Sequence, residues 1–183
     1  MQKERTFNGI PYRTALDLNE ITDPRAFEEL VVAYFSVLHE NRENNITGVI
    51  ASPSSVGSDG GVDILVTLTV TDSLSRFERR WVVQCKFHER SIGLQQLGLV
   101  SPTSLIEQHD AVGYLLICKT NPTTQLANLF KDLTENRNEY QYLIWTGEQL
   151  KTRLLEQPLI HKQFFPKYYA YTELFKKIKN AQP

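Results

Sequence analysis

The feature that most constrains the fold is a pair of long β-forming runs, Val62 to Val70 (VDILVTLTV) and Arg79 to Phe87 (RRWVVQCKF), joined by a short polar connection, Thr71 to Glu78. Both runs are rich in β-branched and aromatic residues, which favour extended backbone. A parallel pair would need a much longer crossover, so the two predict an antiparallel hairpin. In such a hairpin the start of the first strand lies against the end of the second. Asp63 is thereby set beside Gln84 and Lys86. Residues two apart on a strand share a face, so Gln84 and Lys86 project together while Cys85 points away.

Around this hairpin the chain alternates between helical and strand periods. Asp23-Pro24 is a helix start, with Asp as cap and Pro at the first helical position. Phe27, Leu30, Val31, Tyr34, Phe35 and Leu38 then recur at helical spacing up to about His39. A polar loop, Glu40 to Asn45, leads into a strand from Ile46 to Ala51, and the loop Ser58 to Gly61 carries glycines suited to a tight turn. The segment from Ile92 to about Glu107 places Leu94, Leu97 and Val100 near helical spacing, with Pro102 as a kink or break. Ala111 to Cys118 is an apolar run of the kind that forms a central buried strand. Asn121-Pro122 opens a helix through Leu126, Leu129, Phe130 and Leu133; Tyr140 to Trp145 is a further strand, and Thr146 caps a helix that includes Leu150 and Leu154. The order is α-β-β-β-α-β-α-β-α, an α/β fold with a mixed sheet flanked by helices. Residues 1–22 read as an N-terminal arm, 23–156 as the domain, and 157–183 as an aromatic, lysine-bearing tail. Its aromatics are expected to pack on the core as a helix, with a linker to a further domain as the other reading.

A chain of 183 residues accommodates one such domain with a real core. Its 20 basic and 21 acidic residues give a net charge of -1, so any electrostatic footprint for nucleic acid must be local. Cys85 and Cys118 both lie in apolar strand-like runs, which suits reduced, buried thiols and a cytoplasmic setting. The N-terminus has no apolar stretch of signal-peptide type, and no segment approaches the ~20 apolar residues of a membrane helix.

An Asp beside a Gln-x-Lys has a chemical reading in phosphodiester hydrolysis, where water attacks phosphorus in line and charge grows on the phosphoryl oxygens. Hard oxygen ligands suit Mg²⁺. Asp63 supplies an anionic ligand, the Gln84 side-chain oxygen a neutral one, and the Cys85 carbonyl lies between them. Lys86 can position the attacking water, help deprotonate it, or stabilise the charged phosphate. One carboxylate is a thin ligand set, and the first helix offers a second in Glu28 or Glu29; acidic residues there also suit the helix dipole without any further role.

The blocks FEELVVAYFSVL, GSDGGVDI, WVVQCKF, VGYLLICKTNPTTQLANLF and YLIWTGEQLKTRL, in this order and spacing from about Asp23 to Leu155, resemble the Mrr-like restriction endonuclease catalytic domain of the PD-(D/E)xK nuclease superfamily. The first block of that family has the form Phe-Glu-x-Leu, which singles out Glu28. The resemblance implies Asp63 and Gln84 at the metal positions, Lys86 as the motif lysine, and Mg²⁺ or Mn²⁺ as cofactor. Two departures stand out: Gln84 occupies the usual acidic position, leaving the site one charge short, and Val62 replaces the proline before the aspartate. The implied activity is endonucleolytic cleavage of DNA in a prokaryotic restriction or anti-phage defence protein. Such domains are commonly fused to NTPase, sensor or DNA-recognition modules, and dimerisation or an oligomer is a further expectation.

Arg79, Arg80, Lys86, Arg90 and Lys119 are the basic residues nearest the site in the chain, and Gln96 is a substrate-side polar residue. Arg80, Arg90, Gln96 and Lys119 are the expected nucleic-acid contacts, gripping phosphates without reading sequence. His88 shares the strand face of Lys86, and Asp59 can approach the site from its loop. The sequence shows no helix-turn-helix or zinc finger. A small-molecule enzyme lacks support, with no phosphate-binding Gly loop or nucleophile elbow present. The competing assignment is an inactive nucleic-acid-binding or assembly module on the same fold.

Overall fold

The computed structural model describes residues 5–40, 45–53, 62–136 and 139–180. A two-stranded ribbon, β1 (Thr6–Phe7) and β2 (Ile10–Pro11), precedes helix α1 (Pro24–Ser36) and strands β3 (Ile46–Pro53), β4 (Ile64–Thr71) and β5 (Arg76–Lys86). Helix α2 (Pro102–Gln108), strand β6 (Gly113–Cys118), helix α3 (Thr124–Asn136) and strand β7 (Gln141–Trp145) follow. Helices α4 (Gly147–Leu155), α5 (Pro158–Phe164) and α6 (Pro166–Asn180) close the chain. The result is the expected mixed α/β fold.

Strands β3 to β7 form one sheet in sequence order, antiparallel through β5 and parallel from β5 to β7. Connection length dictates this split. The hairpin tip is a tight turn in which Asp72 Oδ1 accepts the Leu74 and Ser75 backbone N–H groups at 2.8 Å each. The parallel steps instead pass through α2 and α3, which supply the length a crossover needs.

Strand alternation sends Ile64, Val66, Val83, Leu115 and Ile117 toward α1 and the C-terminal helices, and Val82, Leu116, Cys118 and Tyr142 toward α2 and α3. Strand β6 is buried along its whole length, as a strand covered on both faces should be. Asp23 Oδ1 caps α1 by accepting the Ala26 N–H at 2.9 Å, and Thr146 and Gln149 form a reciprocal capping box on α4.

Several local readings change, among them the start of α3, which begins at Thr124 rather than at Asn121-Pro122, because Pro122 forms a parallel bridge with Ile92. The segment after β5 is not helical from Ile92: it makes one 3-10 turn, Leu94–Gln96, and α2 begins only at Pro102, behind a Ser101 cap. Pro102 therefore starts the helix rather than kinking it, because a missing N–H costs nothing at the first helical position. Helix α1 stops at Ser36 and is followed by a separate 3-10 turn, Leu38–Glu40. Finally, the N-terminal arm enters the core, where the aromatics of the C-terminal tail pack as expected. Leu16, Leu18 and Ile21 are buried beside α1, and Ile160, Phe164 and Phe165 pack in the same cluster. Glu20 Oε2 accepts the Lys167 N–H at 3.0 Å, tying the two ends together. Among the described residues, no helix is long and apolar enough to cross a membrane.

Candidate active site

Asp63 sits one residue ahead of β4, and the hairpin register extends to it: its N–H donates to the Val83 carbonyl at 3.1 Å. The side chain turns onto the end of β5, where Oδ2 accepts the Cys85 N–H at 2.6 Å. A strand residue's N–H and C=O point to the same edge, so the Cys85 carbonyl faces the Asp63 side as well. The adjacency expected from the hairpin is thus made through the β5 backbone.

Glu28 comes from α1, half-buried, while its neighbour Glu29 is exposed and paired with Arg25 at 3.2 Å. Burial raises the Glu28 pKa, and the charges of Asp63 and Glu29 raise it further, with Lys86 opposing. Asp63 is raised by burial too, against the Cys85 hydrogen bond and Lys86. Glu28, Asp63 and Lys86 therefore share one electrostatic neighbourhood. The Cys85 thiol, pushed well up by burial and by both carboxylates, is held as an inert S–H. Beside Glu28 opens a cleft of about 400 Å³ between α1, Pro53 of β3 and Phe164 of α5.

Gln84 does not face solvent. It is 1% exposed, on the α2–α3 side of the sheet, and its Oε1 accepts the Tyr114 hydroxyl at 2.5 Å. Nothing in the run GYLLIC signalled this partner beyond one phenol among aliphatic residues.

Neither a protein-family model nor a curated protein matches the chain. Among solved structures it is similar to the DNA modification-dependent restriction endonuclease AspBHI, with a TM-score of 0.43 and 12% identity over 80% of this chain and 40% of that one. It is also similar to the MspJI restriction endonuclease in complex with a 27-mer oligonucleotide, with a TM-score of 0.34 and 12% identity over 86% of this chain and 37% of that one. The chain thus spans about 40% of the length of AspBHI.

The donor set suits a hard divalent cation. Among the described residues no three His, Cys, Asp or Glu side chains gather at one point. What the structure brings into one electrostatic neighbourhood is two partly desolvated carboxylates, Glu28 and Asp63, with the Cys85 backbone carbonyl on the Asp63 side, while the Gln84 oxygen is turned to Tyr114. An all-oxygen set of this kind matches Mg²⁺ or Mn²⁺ and lacks the thiolate or imidazole that zinc favours. Two carboxylates whose pKa values are raised by burial also leave negative charge that a cation would compensate.

The expected nucleic-acid contacts divide. Arg80 lies six residues before Lys86 on β5, roughly 20 Å along the strand, and its Nη1 donates to the His109 carbonyl at 3.0 Å. Lys119 is buried, its ammonium paired with Glu89 and 4.3 Å from the centre of the Phe87 ring. Gln96 Oε1 accepts the Gly93 N–H at 2.8 Å, closing its own turn. Arg90 alone of the four is exposed, just past the Lys86 end of β5, as is His88. Asp59 and the loop Ser58 to Gly61 lie outside the described residues.

Proposed function

We propose that this chain is a metal-dependent endonuclease that hydrolyses DNA phosphodiester bonds, acting as the effector domain of a prokaryotic restriction or anti-phage defence protein of the Mrr-like kind its sequence resembles. The observation that supports the reading is that Asp63, clamped to β5 by the Cys85 N–H, lies within electrostatic reach of Glu28 on α1 and of the Lys86 ammonium.

In this reading Asp63, Glu28, the Gln84 oxygen and the Cys85 carbonyl hold Mg²⁺ or Mn²⁺. A bound ion of this type stabilises charge on a phosphoryl oxygen and makes water easier to deprotonate. Lys86 orients the attacking water against the phosphate, or neutralises a non-bridging oxygen as charge develops. Arg90 offers a phosphate contact outside the cluster. With a net charge of -1 the chain has little general attraction for DNA, so affinity is supplied by a few local contacts, by a second copy, or by an associated NTPase or sensor module.

The test is supercoiled plasmid incubated with Mg²⁺ or Mn²⁺ and the wild-type chain, beside Asp63→Ala and Lys86→Ala. Wild type should nick or linearise the plasmid, and each variant should lose at least about a hundredfold in rate. Cutting that survives both substitutions contradicts the site. DNA binding without cutting under any condition assigns the chain to a binding module instead.

A further inference from the structure

Tyr114 and Gln84 are both buried, and they face each other across neighbouring parallel strands. Tyr114 pairs in register with Val82, two residues before Gln84 on the same face, and reaches along β6 to place its hydroxyl 2.5 Å from Gln84 Oε1. The Tyr114 ring is fully buried and packs on Phe130, with centroids 5.9 Å apart.

A buried O–H left without an acceptor costs roughly 1–3 kcal/mol. Turning the Gln84 amide over would set its NH₂ against that O–H and leave the hydroxyl proton unmatched. The amide oxygen has two lone pairs, so accepting from Tyr114 leaves one for a second partner. A carboxylate would not need such help, since either of its oxygens can accept.

We infer that Tyr114 is a positioning residue that fixes which end of the Gln84 amide is the oxygen, and so makes a neutral glutamine usable as a cation ligand beside Asp63 and Glu28. The inference rests on the reading of that cluster as a divalent-cation site.

Orientation matters only for an unsymmetrical side chain, which makes the claim testable without any cleavage assay. Mn²⁺ dissociation constants are measured by calorimetry for wild type, Tyr114→Phe, Gln84→Glu and the double variant, with thermal unfolding checked for each. Phe keeps the ring that packs on Phe130, so the fold should persist. With Gln84 in place, loss of the hydroxyl should weaken Mn²⁺ binding about tenfold, as loss of a second-layer partner does. In the Gln84→Glu background the same substitution should change it little. Equal weakening in both backgrounds, or none in either, overturns the inference alone. A wild-type chain that binds no Mn²⁺ overturns the cation-site reading and the inference with it.

Discussion

At the level of single residues, the choice between Glu28 and Glu29 shows what sequence could not decide without a family resemblance. Both are acidic residues in the first turns of one helix, and only the roll of α1 separates them: Glu29 is exposed and paired with Arg25, whereas Glu28 is half-buried and feels the charge of Asp63. Arg80 and Lys119 differ from Arg90 in the opposite way, since each cation near the site in the chain already has a partner within the protein. The raised carboxylates carry a pH prediction. A folded-state pKa above the unfolded value gives stability that is complete below the unfolded value and is lost as pH rises through the raised one. Without divalent ions, the contribution of Glu28 and Asp63 to stability should therefore fall as pH climbs from the ordinary carboxylate range, about 4. At neutral pH, Asp63→Asn should raise the stability of the metal-free protein by up to about 1 kcal/mol, since Asn can still accept the Cys85 N–H. Millimolar Mg²⁺ should then raise the melting temperature of wild type more than that of the variant. A variant less stable than wild type without metal, or an equal Mg²⁺ response, would argue against strained carboxylates at this position.

Elements with both a periodic face and a chemical boundary were the legible ones. Asp23-Pro24 and Thr146 mark real helix starts. The hairpin followed from two β-rich runs and a short link. The stretch from Ile92 to Glu107 failed because a few apolar residues near helical spacing outweighed the stronger signal of Ser101-Pro102, a cap followed by a proline. Removing the cap that holds the Glu28 helix should be measurable: Asp23→Ala is expected to cost about 1 kcal/mol, seen as a lower urea midpoint at unchanged slope. The joint between β6 and α4 is tighter still. A Cβ on Gly147 would collide with the Lys119 carbonyl oxygen, a backbone atom that cannot swing aside. Gly147→Ala should destabilise by roughly 1–3 kcal/mol through forced displacement of helix or strand, and a variant as stable as wild type would show that the joint is looser than described.

For the whole molecule, the sheet divides two apolar layers, and the layer over α1 is completed by residues from both ends of the chain. Composition hinted at this only through the aromatics after Gln157. The packing gives those residues a structural role: Phe165 is fully buried, so Phe165→Ala should cost about 3–5 kcal/mol in chemical denaturation, although it lies far along the chain from the hairpin. The same architecture packs α1 on the β4–β5 hairpin, which is how residues 28, 63 and 86 come to share one electrostatic neighbourhood. Whether that neighbourhood is a metal-dependent nuclease site is tested most directly by measuring Mn²⁺ binding and plasmid cleavage on the same three proteins: wild type, Asp63→Ala and Lys86→Ala. The expected pattern is that wild type binds and cuts, Asp63→Ala does neither, and Lys86→Ala still binds Mn²⁺ but cuts at least about a hundredfold more slowly. Full cleavage by Lys86→Ala, or metal-dependent cutting that persists without the Asp63 carboxylate, would contradict it.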